Sequence, residues 1–310
     1  MDNSRIKEIL VPLDGSALAE SVLPAVARLS KKIGGHVTFM HVIEQNPPEK
    51  VHGQRHLTRI DQAEKYLDSV ASLPLFEGIP VNIHVHETGV RDVSQSISDH
   101  SEELGQDVIV MCTHGNSGLH DLLVGSIAQQ VISLSATPVM LVNPSTERAR
   151  TKPNFENFLV PLDGDPEHEH ALKFATNLAR LCSAQIHLTI AVPRFGTMSG
   201  ELTAANRFLP GTTRRMMDMI VPDAKEYLVK VQTEIAKGGL EVTTSTSRGD
   251  PARAVTRSSR SVKADLIVIA THGKKGARPF WEGSVTPKII RSSKIPVLLI
   301  PVREHEDEAA

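Results

Sequence analysis

Short apolar runs alternate along the chain with stretches in which apolar residues recur every three or four positions. Ile9-Leu10-Val11-Pro12-Leu13 is a compact apolar run closed by Asp-Gly-Ser, the pattern of a buried strand feeding a turn. Residues 17–32 then place Leu18, Val22, Val26 and Leu29 on one helical face, and Gly34-Gly35 stops that helix. The spacing predicts further strands over 37–43, 81–85, 108–111 and 139–142, and helices over 61–72, 93–104 and 126–133. Strands over 158–162, 184–192, 241–246, 264–270 and 296–300, with helices over 167–181, 221–236 and 252–261, repeat the series. Strand alternating with helix predicts an α/β fold: two open, mostly parallel, Rossmann-like sheets of five strands each, with helices on both faces.

The repeat is also literal. Val11-Pro12-Leu13-Asp14-Gly15 returns as Val160-Pro161-Leu162-Asp163-Gly164, 149 residues on. Thr113-His114-Gly115, nine residues, Gly125-Ser126 returns as Thr271-His272-Gly273, nine residues, Gly283-Ser284, 158 residues on. A period of half the chain means two copies of one domain, assigned to residues 1–146 and 154–303, with an acidic tail at 304–310. Between the second strand and second helix the later copy carries 12 extra residues, within 193–222. Such a stretch serves as a lid or partner surface, or is a tolerated surface excursion.

Composition narrows the class without naming a function. The chain has 310 residues, is 40% hydrophobic and 23% charged, and has a formal net charge of −2, which suits two globular cores and argues against a nucleic-acid or anionic-membrane coat. No apolar run reaches the ~18 residues of a membrane span, and no signal-like segment opens the sequence. Cys112 and Cys182 offer no disulfide framework, so a reducing, cytoplasmic setting is expected.

In doubly wound sheets, ligands bind beyond the carboxyl ends of strands where the strand order reverses, and both repeated motifs follow strands. Ser126 near a helix start, with Gly125 before it, suits a phosphate held by backbone N–H groups, or merely caps the helix. Asp14 suits a ribose hydroxyl or a base amino group, or an Asx turn with Gly15 and Ser16. His114 and His272 serve as ligand contacts or as scaffold. No phosphate-binding Gly-x-x-x-x-Gly-Lys loop, nucleophile elbow or metal-ligating cluster is present. His84 and His86 share a strand face, but no third ligand partners them in the sequence. Cys112, at a strand end, is either redox-sensitive or buried and inert.

These residues resemble a tandem universal stress protein, two domains of the HUP superfold, over nearly the whole chain. The family's ATP pattern is Gly-x-x-Gly, nine residues, Gly-Ser/Thr. Gly115, Gly125 and Ser126 match it, as do Gly273, Gly283 and Ser284, while Cys112 and Ala270 stand at the leading glycine. The resemblance implies an ATP site, with Mg2+ as accompanying ion. In the first copy it comprises Pro12, Leu13, Asp14, Val42, Met111, Cys112, His114, Gly115, Gly125, Ser126 and Ile127. In the second it comprises Pro161, Leu162, Asp163, Ala191, Ile269, Ala270, His272, Gly273, Gly283, Ser284 and Val285. It also implies pairing of the two domains through their last strands, a homodimer, and a stress-signalling role without catalytic residues. Two other classes remain: a scaffold that binds no nucleotide, and a slow ATPase. Pro279 and Trp281 reshape the second loop relative to the first.

Overall fold

The computed structural model describes residues 6–45, 47, 50–51, 54–113, 125–144, 153–165, 170–192, 210–272 and 285–302. The first repeat runs β1 (Glu8–Pro12), α1 (Ala17–Glu20), α2 (Leu23–Ile33), β2 (His36–Glu44), a two-residue hairpin of β3 (Lys50–Val51) and β4 (Gln54–Arg55), and α3 (Ile60–Ala71). It continues through β5 (Val81–Val90), α4 (Val93–Glu103), β6 (Val108–Cys112), α5 (Ser126–Leu134) and β7 (Val139–Val142). The second runs β8 (Asn157–Leu162), α6 (His170–Cys182), β9 (Gln185–Val192), α7 (Pro210–Ala236), β10 (Val242–Arg248), α8 (Pro251–Ser261), β11 (Leu266–His272), α9 (Val285–Ser292) and β12 (Val297–Val302).

All ten long strands form one sheet in the order β10-β9-β8-β11-β12-β7-β6-β1-β2-β5. Within each half every pairing is parallel and the order reverses between the first and fourth strands: β1 lies between β2 and β6, and β8 between β9 and β11. The halves meet where β7 pairs antiparallel with β12, Leu298 opposite Met140. Each closing strand thereby covers an edge the other would expose, and β5 and β10 remain as the outer edges.

Alternation along the strands divides the core into two layers. Ile9, Val11, Met140, Val142, Leu298 and Ile300 face α2, α3, α6 and α7. Leu10, Val139, Leu141, Val297 and Leu299 face α4, α5, α8 and α9. Both layers run through the seam, so the two repeats share their cores.

Three elements depart from their expected bounds by more than a few residues at an end. The helix expected over 17–32 is two: Ser16 caps α1 by accepting the Ala19 N–H at 3.1 Å, and α2 restarts at Leu23 because Pro24 has no N–H to continue the ladder. β5 extends to Val90, past a bulge between Val42 and Glu44 of its partner strand. In the stretch containing the extra residues, α7 begins at Pro210, so Arg214 and Arg215 are helical and Pro222 lies inside a 27-residue helix. Gly196, Gly200, the inter-repeat residues 145–152 and the acidic tail lie outside the described residues. No described helix is long and apolar enough to cross a membrane.

Candidate functional site

β1 ends in a turn that needs glycine. Gly15 has φ +85° and Gly164 in the second repeat has φ +86°, a region open to glycine at little cost. Each turn is closed by the preceding aspartate: Asp14 Oδ1 accepts the Ser16 N–H at 2.9 Å, and Asp163 Oδ1 accepts the Asp165 N–H at 3.0 Å. The Asx turn is therefore real in both copies, and it occupies one oxygen of a carboxylate that can accept several bonds.

Beside β1, β6 brings Met111 and Cys112 to the same end of the sheet, and the Thr113 N–H donates to the Val142 carbonyl at 2.8 Å. Burial first, and the nearby Asp14 carboxylate second, push the Cys112 thiol up to about 12. Tyr66 donates its hydroxyl to Glu20 Oε1 at 3.0 Å and is held above its ordinary range by burial, Glu20 and Asp14. Buried His56 lies 3.4 Å from Glu44 and is lowered mainly by desolvation, against the attraction of Glu44 and Asp14. Buried His41 sits between the Leu13 carbonyl, 2.7 Å from Nδ1, and the Leu57 carbonyl, 3.1 Å from Nε2. It ties the end of β1 to the chain that follows the hairpin.

The described chain resumes at Gly125, which is the N-cap of α5 with φ −57° and ψ 148°. Gly125 accepts the Gln129 N–H at 2.9 Å through its carbonyl. A glycine cap offers no side-chain acceptor, so Ser126 is not the cap: it opens the first turn, exposed, with exposed Ile127 after it. Amides of a first turn have no intrahelical partner and carry the positive end of the helix dipole.

Of the other residues singled out, Leu13 and Val42 are buried and Pro12 is half-buried. In the second repeat Leu162 and Ile269 are buried, Pro161, Ala191, Ala270 and Val285 are half-buried, and Asp163 is exposed where Asp14 is half-buried. His272 ends β11. His114, Gly115, Gly273, Gly283, Ser284, Pro279 and Trp281 lie outside the described residues. The sequence did not single out Tyr66 and His56 as neighbours of Asp14. A signal existed for Tyr66, because Ala63-Glu64-Lys65-Tyr66-Leu67 returns as Ala224-Lys225-Glu226-Tyr227-Leu228.

A doubly wound, mostly parallel sheet with acidic turns and a glycine-capped helix at its carboxyl edge defines a Rossmann-like α/β protein. The model of the universal stress protein family matches residues 5–143 and again 154–301, and the chain belongs to that family as a tandem member. A universal stress protein of Mycolicibacterium smegmatis is 22% identical over 312 residues, covering 95% of this chain and 97% of its own. One from Methanocaldococcus jannaschii is 26% identical over 154 residues, 49% of this chain and 85% of its own. The crystal structure of an Archaeoglobus fulgidus universal stress protein superposes with a TM-score of 0.69 at 21% identity, covering 98% of this chain and all of that one.

Proposed function

We propose that this protein is an ATP-binding stress-signalling module whose working site lies in the first repeat, at the carboxyl ends of β1 and β6. The observation that carries this reading is the convergence of both repeated motifs on the two strands between which the order reverses. Adenosine would lie against Pro12, Leu13, Asp14 and Val42, with Asp14 accepting from the base or ribose. Met111, Cys112, His114 and Gly115 would follow the ribose and phosphates, and the amides of Gly125, Ser126 and Ile127 would take the terminal phosphates. Bound ATP supplies three phosphates whose charge suits the start of α5. Magnesium would arrive with those phosphates.

The second repeat offers the equivalent set, Pro161, Leu162, Asp163, Ala191, Ile269, Ala270, His272, Gly273, Gly283, Ser284 and Val285. The first is favoured because Asp14 is half-buried among Cys112, Tyr66 and His56, whereas Asp163 is exposed. A cytoplasmic homodimer belongs to the same reading, and light scattering reads the pairing. Cys112 and Ala270 at the leading-glycine position favour a second reading, a scaffold without nucleotide.

Releasing bound small molecules from the denatured protein and counting adenine nucleotide per chain separates the readings. Close to one supports the first-repeat site, and close to two means both repeats bind. None, followed by no calorimetric binding of ATP with or without magnesium, leaves the scaffold. Asp14→Ala and Gly125→Val are expected to abolish binding in a folded protein, and full retention by both would overturn the ATP reading. Phosphate release from the loaded protein, lost in Asp14→Ala, would instead establish the slow ATPase.

A further inference from the structure

At the outer edge of the first repeat's sheet, strand β5 and helix α4 bring three histidines together. His84 and His86, two apart on β5, share a face, and His100 lies across from them near the end of α4. His86 Nδ1 stands 3.2 Å from His100 Nε2. The rings of His84 and His86 each lie 4.8 Å, centroid to centroid, from that of His100. All three line a recess of about 340 Å³, with Glu64 at its wall.

The geometry points to a binding site for a borderline divalent transition ion, of the zinc or nickel type, held by His84, His86 and His100. Two imidazole nitrogens sharing a tetrahedral ion at about 2.0–2.1 Å are about 3.3 Å apart, and their ring centres are about 5 Å apart. The His86–His100 pair meets both spacings as it stands. His100 is also oriented as a ligand should be. Its Nδ1 is 2.8 Å from the Ser96 carbonyl, which can only accept, so Nδ1 carries the proton and the Nε2 lone pair points at His86. A backbone carbonyl that fixes the tautomer in this way is the usual outer partner of a metal-bound histidine.

Among the described residues no three such side chains yet aim at one centre, so the pair is preformed and His84 completes the set by turning its ring. The ion takes the place of the proton between His86 and His100, and the His86 proton moves to Nε2. Glu103 Oε2 lies 3.9 Å from His100 Nε2, and its exposed carboxylate would supply a fourth ligand.

The duplicated architecture removes the alternative that the fold itself requires histidine here. His84 pairs with Met40 and His86 with Val42, and the matching pairs of the second repeat are Ser245 with Thr189 and Ser247 with Ala191. Ser258 holds the place of His100, 158 residues on. Serine serves at all three positions of the same strand-and-helix packing, and its hydroxyl is a poor ligand for such an ion.

The test is zinc titration of the untagged full chain by calorimetry and by competition with a chromophoric chelator. One ion per chain is expected, with affinity lowered at least about tenfold in H84Q, H86Q and H100Q and unchanged in H36Q, a histidine elsewhere on the surface. Zinc should raise the unfolding midpoint of the parent and of H36Q but not of H100Q. Far-ultraviolet circular dichroism and the metal-free midpoint confirm that each variant is folded. Absence of saturable binding, or parental affinity in any folded member of the three, overturns the site.

Discussion

Alanine at Gly15 and at Gly164 tests whether the two acidic turns are built alike and what surrounds each. Both glycines have nearly the same left-handed backbone, φ +85° and +86°, so both substitutions carry the same conformational cost, about 1–2 kcal/mol for a residue with a Cβ. Alanine also restricts the unfolded chain, which returns about 0.4–1 kcal/mol and leaves a net loss of roughly 1 kcal/mol. Their surroundings differ. A Cβ on Gly164 meets nothing within 4 Å among the described residues, whereas one on Gly15 comes 3.0 Å from Leu57 Cδ1. That atom is the end of a flexible side chain, so relief costs an unfavourable rotamer, about 0.5–1.5 kcal/mol. Gly164→Ala should therefore lose about 1 kcal/mol and Gly15→Ala about 2 kcal/mol. Guanidinium unfolding followed by circular dichroism and fluorescence measures both, with coincident transitions licensing a two-state fit. A neutral or stabilising Gly164→Ala would refute the strained turn, and a larger loss at Gly164 than at Gly15 would refute the assigned surroundings. Because Gly15 adjoins Asp14, its variant should also weaken ATP binding more than the Gly164 variant does.

Asp107 accepts the Lys7 and Glu8 N–H groups at 2.7 and 2.9 Å, and Asp265 accepts those of Glu156 and Asn157 at 2.9 and 3.1 Å, so each clamps the start of its repeat's first strand. Asp107→Ala and Asp265→Ala should each cost about 1.5–3 kcal/mol, and their effects should add within about 0.5 kcal/mol by denaturant unfolding. The Cys182 thiol, like that of Cys112, is pushed up to about 12, chiefly by burial. At pH 7.5 the thiolate fraction is roughly 1 in 30,000, so a chromogenic disulfide should react with neither until the protein unfolds. Burial lowers both His56 and His187, so below their ordinary value of 6.5 the unfolded chain binds protons that the folded one resists. Stability should be complete above that value and fall as the pH drops through it, by at most about 1.4 kcal/mol per pH unit for each histidine. His56→Gln and His187→Gln should each flatten midpoints measured from pH 7.5 to 5.5, and an unchanged slope in both variants would remove desolvation as the cause.

The apolar runs settled β1, β2, β6 and their counterparts because a strand buried on both faces is apolar at nearly every position, with Thr38 and His41 as the buried polar residues of β2. The Asp-Gly turns were legible for an equally local reason, since the side chain and the backbone it bonds are two residues apart. The duplication then placed both motifs on strands that a doubly wound sheet sets side by side. What the sequence could not carry were relations that depend on long-range packing. A period of three to four residues does not show that Pro24 breaks a helix into α1 and α2, or that α7 runs back through Pro222 to Pro210. Tyr66 and His56 became neighbours of Asp14 only when α3 and the chain before it folded across β2. His100 met His84 and His86 in the same way, because α4 packs back on the sheet and brings His100, 14 residues after His86, beside the edge strand. Periodicity and turn chemistry act over a few residues, and so the sequence alone determined the elements and the positions of the motifs. The company each side chain keeps depends on how the sheet twists, crosses over and closes, and that was decided only by the tertiary structure.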